Sequence, residues 1–113
     1  MKQSEIWLVS LDPTVGAEIK KTRPAIIVND NTLGKLPLKI IVPITDWKDR
    51  YAIAPWMVKL VPDKQNKLTR ESAADCFQLR SVAEERCVKK IGQVDTDTLD
   101  KIRRALALVL TIE

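Results

Sequence analysis

Histidine is missing from this 113-residue chain. Its absence excludes Ser/His/Asp and Cys/His nucleophilic machinery and removes the commonest zinc ligand. Cysteine is nearly missing as well. Cys76 and Cys87 are too few for a disulfide framework, lack metal-site spacing, and read as small reduced core residues. No stretch approaches the run of about 18 apolar residues that a membrane helix needs. Residues 1–7 hold no apolar segment before a small-residue cleavage site, so no secretory signal is expected and the cytoplasm is the expected compartment. Repeats, low-complexity tracts and linkers are absent too, which predicts one domain over 1–113 with one modest core. Any catalysis must therefore run on carboxylates, Arg, Lys, hydroxyls and backbone groups, and no metal or cofactor is expected.

What is present is an ordinary globular balance, 45% hydrophobic and 30% charged, with a net charge of +4. The positive charge is clustered. Lys20, Lys21 and Arg23 form one basic stretch, and Lys59, Lys64, Lys67 and Arg70 form another. A charge run is usually a solvated face, but two separated basic loops on a β-rich domain favour a polyanionic partner. Period-2 apolar runs predict strands at 6–11, 24–28, 38–42 running on to Thr45, and 56–61, with a fifth between 72 and 82 and a short sixth at 88–94. The Asp12-Pro13 dipeptide should stop the first strand, and Pro24 sits at the tolerated first position of the second. The period then changes. Leu99, Ile102, Leu106 and Val109 recur at helical spacing, with Asp95, Thr96 and Asp97 as candidate N-caps. The expected fold is mainly β with a C-terminal α-helix, a strongly bent sheet or small barrel of five to six strands. Ala105, Ala107, Leu108, Leu110 and Ile112 leave the end of the helix apolar nearly all round, and a homodimer interface is a natural cover for it.

Chemistry concentrates between Asp12 and Pro24. Pro24 biases Arg23 towards extended backbone and so gives that side chain a defined direction. Glu18 lies five residues upstream across a loop containing Gly16. From spacing alone, a surface Glu18–Arg23 ion pair worth under about 1 kcal/mol is the favoured reading.

A longer ordered pattern alters that weighing. Glu5-Ile6-Trp7-Leu8-Val9, Leu11-Asp12-Pro13-Thr14 with Gly16-x-Glu18, and Arg23-Pro24-Ala25 resemble the N-terminal signature of the MazF/PemK (Kid-like) mRNA interferase toxins. The likeness continues through Val42-Pro43-Ile44-Thr45, Ser72, Cys76-x-Gln78-Leu79-Arg80-Ser81-Val82, Lys90-Ile91-Gly92 and the terminal helix. It spans nearly the whole chain, in order. The resemblance implies an SH3-like barrel, a homodimer, sequence-specific cleavage of single-stranded RNA, and inhibition by a cognate antitoxin protein. It matches Arg23 and Thr45 to the family's catalytic Arg and Thr, and Glu18 to the acidic residue of its Gly-x-Glu loop.

Elementary chemistry is consistent with those roles. Metal-independent RNA cleavage uses the neighbouring 2′-hydroxyl as nucleophile and leaves a 2′,3′-cyclic phosphate and a 5′-hydroxyl. It needs a base, donors for the developing phosphorane charge and a proton for the leaving oxygen. Glu18 suits the base if partly desolvated. Arg23 offers a planar bidentate fork, and Thr45 can donate to a phosphate oxygen. Lys20, Lys21, Lys64 and Lys67 are candidate RNA contacts by charge. Trp47, followed by Lys48-Asp49-Arg50, is the best candidate for stacking on an unpaired base, with Lys48 and Arg50 as companions. Core or dimer packing is preferred for Trp7 and Trp56. Gln78 and Arg80 either reach base edges or brace their strand.

The chain also departs from the pattern. Asp75 and Phe77 stand where some members of the family use an Arg and an Asp, so that scheme does not simply transfer; displaced acid chemistry, a base-reading acceptor and a surface charge are the readings open to Asp75, and the surface charge is the expected one. Ile19 replaces a polar residue. A CcdB-like gyrase inhibitor on a related barrel and a non-catalytic single-strand binding module are the alternative readings. Neither has need of Glu18, Arg23 and Thr45 together.

Overall fold

A computed structural model describes residues 1–113. Seven strands precede one helix: β1 (Glu5–Ser10), β2 (Thr22–Ile27), β3 (Leu38–Asp46), β4 (Met57–Leu60), β5 (Ser72–Asp75), β6 (Arg80–Ala83), β7 (Cys87–Gln93) and α1 (Thr96–Leu110). Short 3-10 turns occupy Asp49–Ile53, Cys76–Gln78 and Glu84–Arg86. All pairings are antiparallel, in the order β4-β5-β3-β2-β1-β7, with β6 added along β3. The mainly-β reading with a terminal helix therefore holds, but with seven strands in place of five or six.

The extra strand comes from the segment taken as one strand between 72 and 82. It is broken by the Cys76–Gln78 turn, so β5 and β6 pair with different halves of β3. β6 runs along Leu38–Ile41, and β5 along Ile44–Asp46. Pro43 lies in the gap between these two ladders, where its missing N–H leaves no hydrogen bond unmade. Asp75 caps the turn by accepting from the Phe77 N–H at 3.1 Å. Its side chain is buried, at 6% exposure, which corrects the expectation of a surface charge.

Strand alternation sends side chains into two cores. Ile6, Ile26, Val42 and Ile44 join Val58, Leu60, Ala74, Cys76, Val94 and the Leu99, Ile102 and Ala105 face of α1. Val9, Leu11, Ala25, Ile27, Ile41 and Val82 form the smaller core on the opposite face. Both cysteines are free, as expected; Cys76 is fully buried and Cys87 packs against the smaller core. Burial pushes the Cys76 thiol up to about 12, with Asp75 adding to the shift. The helix starts at Asp95, whose carboxylate accepts from the Thr98 N–H at 2.8 Å. No helix is long and apolar enough to cross a membrane.

The two ends of the strand order meet through the 61–71 loop, which links β4 to β5 and lies on β7. Asn66 shapes that loop. Its side chain accepts from the Asp63 and Leu68 N–H groups, both at 3.0 Å, and donates to the Val61 carbonyl at 2.9 Å. A Cβ on Gly92 would stand 2.6 Å from the carbonyl oxygens of Gln65 and Asn66. Replacing Gly92 by Ala should therefore push this closure apart and lower stability by about 1–3 kcal/mol, as overpacking typically does. Urea unfolding of Gly92→Ala at neutral pH checks this, and an unchanged midpoint contradicts it.

Glu5 fixes the other margin of β1. Its carboxylate accepts from the Lys2 N–H at 2.9 Å and the Trp7 indole at 3.0 Å, and Lys90 of β7 stands 3.1 Å away. Burial alone would raise the Glu5 carboxyl; the Trp7 indole, the Lys2 N–H and Lys90 outweigh it and hold the pKa at about 2, below the ordinary 4.5. The stabilisation is therefore complete above about 4.5 and is lost as pH falls towards 2. Glu5→Gln should lower stability by on the order of 1–2 kcal/mol at neutral pH. Chemical denaturation at descending pH should show the two proteins converging between pH 4.5 and 2, because the wild type then loses the same charge.

Candidate active site

Alternation along β2 and β3 assembles the first part of the site. Arg23 has the parity of Ala25 and Ile27, and Thr45 that of Ile41 and Pro43, so both belong to the face of the smaller core. The register Ala25↔Pro43, continued by two residues, sets Arg23 opposite Thr45. Both line one cavity of about 240 Å³, completed by Pro24, Ile44, Asp46, Ser72 and residues 68–70 of the loop that closes the sheet. Arg23 is half-buried, and its Nε donates a long hydrogen bond, 3.4 Å, to the Lys20 carbonyl. Its terminal nitrogens keep their donors free. The neighbouring Arg70 instead pairs with Asp46 at 3.3 Å.

Glu18 lines a second cavity, about 420 Å³, between the 11–21 loop and residues 77–80. Pro43 belongs to its wall. Pro43 and Thr45 are two residues apart on one strand face, about 7 Å, so the two cavities open side by side along β3. The Glu18–Arg23 ion pair that spacing allows does not form. Glu18 is exposed, and its Oε1 accepts from the Val15 N–H at 2.7 Å. The partial desolvation expected for a base is therefore not present at Glu18 in the chain alone.

Gln78 and Arg80 use their polar atoms within the protein. The Gln78 amide accepts from the Ile19 N–H at 2.6 Å and donates to the Ala17 carbonyl at 3.1 Å, and Arg80 donates to the Leu11 carbonyl at 3.1 Å. Of the two roles open to them, bracing is what the structure displays, although what they brace is the loop rather than their own strand. Arg86, which sequence reasoning passed over, adds donors to the Ser10 and Asp12 carbonyls. No local pattern marks this role, since its partners lie 74–76 residues away.

The aromatic and basic candidates are spread more widely. Trp47 is half-buried, edge-on to Tyr51 at 5.9 Å, and the Lys59 ammonium stands 5.0 Å from its ring centre. Trp7 packs against the smaller core, as expected. Trp56 is not a core residue. At 36% exposure it meets Phe77 edge-on at 5.9 Å, and Phe77, 67% exposed, stands at the wall of the Glu18 cavity. That aromatic pair was visible in sequence only as a departure from a pattern. Lys20 and Lys21 are exposed at the base of the Glu18 loop, and Lys48 and Arg50 are exposed around the Asp49–Ile53 turn. Lys64 and Lys67 instead share a separate hollow of about 410 Å³ with Lys90 and Gln93, so the structure does not bring them to Arg23. Asp75 has its carboxyl raised by burial, against the backbone N–H groups of Phe77 and Gln78.

Comparison with known proteins agrees with this fold. The family model for PemK-like, MazF-like toxins of type II toxin-antitoxin systems matches residues 2–110. The curated endoribonuclease MazF9 of Mycobacterium tuberculosis is 30% identical, over 99% of this chain and 98% of its own length. Among solved structures, MazF from Deinococcus radiodurans superposes with a TM-score of 0.80 at 20% identity, covering 99% of this chain and 97% of that one. An endoribonuclease from a mycobacterial species, in complex with its cognate antitoxin, gives 0.78 at 18% identity over 100% and 97%. With a family model spanning almost every residue and a fold that matches from end to end, the chain belongs to the PemK-like, MazF-like toxins of type II toxin-antitoxin systems.

Proposed function

We propose that this toxin is a sequence-specific endoribonuclease that cuts single-stranded RNA without a metal, by attack of the 2′-hydroxyl on the adjacent phosphorus. The observation that carries the reading is the meeting of Arg23 and Thr45 in one cavity with unpaired guanidinium donors, one strand step from the cavity that holds Glu18. Arg23 and Thr45 would donate to the non-bridging oxygens as charge builds on the phosphorane. Glu18 would release Val15 and accept the 2′-hydroxyl proton once RNA displaces water from the loop. The P–O5′ bond then breaks and O5′ takes up a proton, leaving a 2′,3′-cyclic phosphate and a 5′-hydroxyl. No His, Cys, Asp or Glu side chains are grouped so as to hold a metal ion, which supports a route run by the protein's own donors. Lys20, Lys21, Lys48 and Arg50 would draw the phosphate backbone in, and Trp47 would stack on a base with whichever face Lys59 leaves open. Lys64 and Lys67 would bind RNA only outside the two cavities. Action on mRNA would make the cytoplasm its compartment.

The test is one assay on an RNA oligonucleotide carrying the cleavage site, in excess EDTA. Wild-type protein should yield cyclic-phosphate and 5′-hydroxyl ends. A substrate with a single 2′-deoxyribose before the scissile bond should bind but remain intact. Arg23→Ala should lose about 10²–10³-fold in rate, the usual cost of removing one oriented charge donor. Cleavage of the deoxy substrate, or products with 5′-phosphates, would show that the roles given to Glu18, Arg23 and Thr45 are wrong.

We also infer a homodimer and a cognate antitoxin partner. Leu108, Leu110 and Ile112 at the end of α1 are more than half exposed, and a groove between that helix and β4, with Met57, Ala105 and Leu108 on its floor and Lys59, Lys101 and Arg104 on its rim, lies beside them. A second copy is a natural cover for so apolar a surface. Sedimentation at micromolar concentration should give twice the chain mass, and an active monomer removes the inference.

A further inference from the structure

The 11–21 loop has few backbone hydrogen bonds of its own. The Leu11 N–H reaches the Lys21 carbonyl at 2.9 Å across its root, and the Glu18 N–H reaches the Val15 carbonyl at 3.3 Å near its tip. Two of its residues, Gly16 at φ +59° and Lys21 at φ +70°, sit in left-handed backbone. What holds the loop is a set of side chains from a distant part of the chain. Arg86 donates to the carbonyls of Ser10 and Asp12, and Arg80 to that of Leu11, so two guanidiniums grip three successive carbonyls at the root. Gln78 grips the tip, at Ala17 and Ile19.

The position of that second grip is informative. Ala17 and Ile19 are the two neighbours of Glu18. The carbonyl before a residue and the N–H after it are an acceptor and a donor that one primary amide can satisfy together. A carboxylate lacks the donor, and an ammonium lacks the acceptor. Gln78 thus spans Glu18 from one neighbour to the other across the bend, while the Glu18 carboxylate bonds the Val15 N–H instead.

We propose that Gln78 is a positioning residue for the reaction. Its amide brackets Glu18 and holds it beside the Arg23–Thr45 cavity, and it does not read a base. This rests on the assignment of Glu18 as the group that accepts the 2′-hydroxyl proton. The amide oxygen accepts from Ile19 and the amide nitrogen donates to Ala17, so the hydrogen bonds that fix its orientation are made with the loop.

The experiment compares wild type, Gln78→Ala, Gln78→Glu, Glu18→Ala and the Glu18→Ala/Gln78→Ala double variant on one RNA oligonucleotide, together with amide exchange at Ile19. Gln78→Ala should lower kcat by about 10–100-fold, the scale on which misplacing a reacting group acts, with KM nearly unchanged. The double variant should be no slower than Glu18→Ala alone, because nothing remains to be positioned. Ile19 should lose amide protection in Gln78→Ala and keep it in Gln78→Glu, which retains the acceptor and should lose less rate. A loss confined to KM, or a double variant slowed by the product of the two single effects, overturns the proposal. Unaltered exchange at Ile19 does the same even if Gln78→Ala is too unstable to assay. A fully active Glu18→Ala overturns the underlying assignment of Glu18, and the positioning role falls with it.

Discussion

β3 pairs with β2 along one edge and passes from β6 to β5 along the other, and the remaining architecture follows from that change at Pro43. A strand that pairs with β6 over its first half and β5 over its second must bend, and a bend is tolerated where no N–H is left seeking a partner. The bend separates β5 from β6 and inserts the Cys76–Gln78 turn between them. It also keeps Val42 and Ile44 in the larger core while Ile41 supplies the smaller one. Pro43 and Thr45, on the face of the smaller core but beyond its apolar residues, become walls of cavities instead. The site is thus a by-product of how one strand is shared.

The charge around this site is unevenly committed. Arg80, Arg86 and Arg70 are all engaged, with carbonyls or with Asp46, while Arg23 keeps its terminal donors available. A guanidinium free of acidic partners in a half-buried cavity keeps its affinity for an incoming anion, since no internal ion pair has to be broken first. Glu18 faces the opposite situation. It is exposed, and its carboxylate is bonded to its own loop at the Val15 N–H.

Much of this was legible in the sequence where the signal is local. The first three strands, the helix and its Asp95 cap follow from period and from capping chemistry, with boundaries off by one to four residues. Glu18, Arg23 and Thr45 came from an ordered set of short motifs, and the bland ion-pair reading of Glu18 with Arg23 did not survive. The missed features are those set by distant partners. Nothing in Asp75-Cys76-Phe77-Gln78 announces a corner, because the corner is imposed by the two halves of β3. The burial of Asp75 was hidden because a carboxylate gives no sign of the N–H it will cap two residues on. The hold of Gln78 on the loop joins positions 59 and 61 residues apart, beyond any window of periodicity.

The grip on the loop tip is made by an uncharged amide, and this has a bearing on how the protein meets a polyelectrolyte. A lysine or arginine at position 78 would be a contact that entering phosphates compete for and that dissolved ions weaken. A carboxamide has no counterions to shed and no proton to gain or lose across physiological pH. The hold at the loop tip is therefore less open to competition from dissolved ions than the root, which the charged Arg80 and Arg86 side chains grip. On the proposed reading, a rise in ionic strength would weaken the capture of RNA more than it disturbs the tip of the loop that carries Glu18.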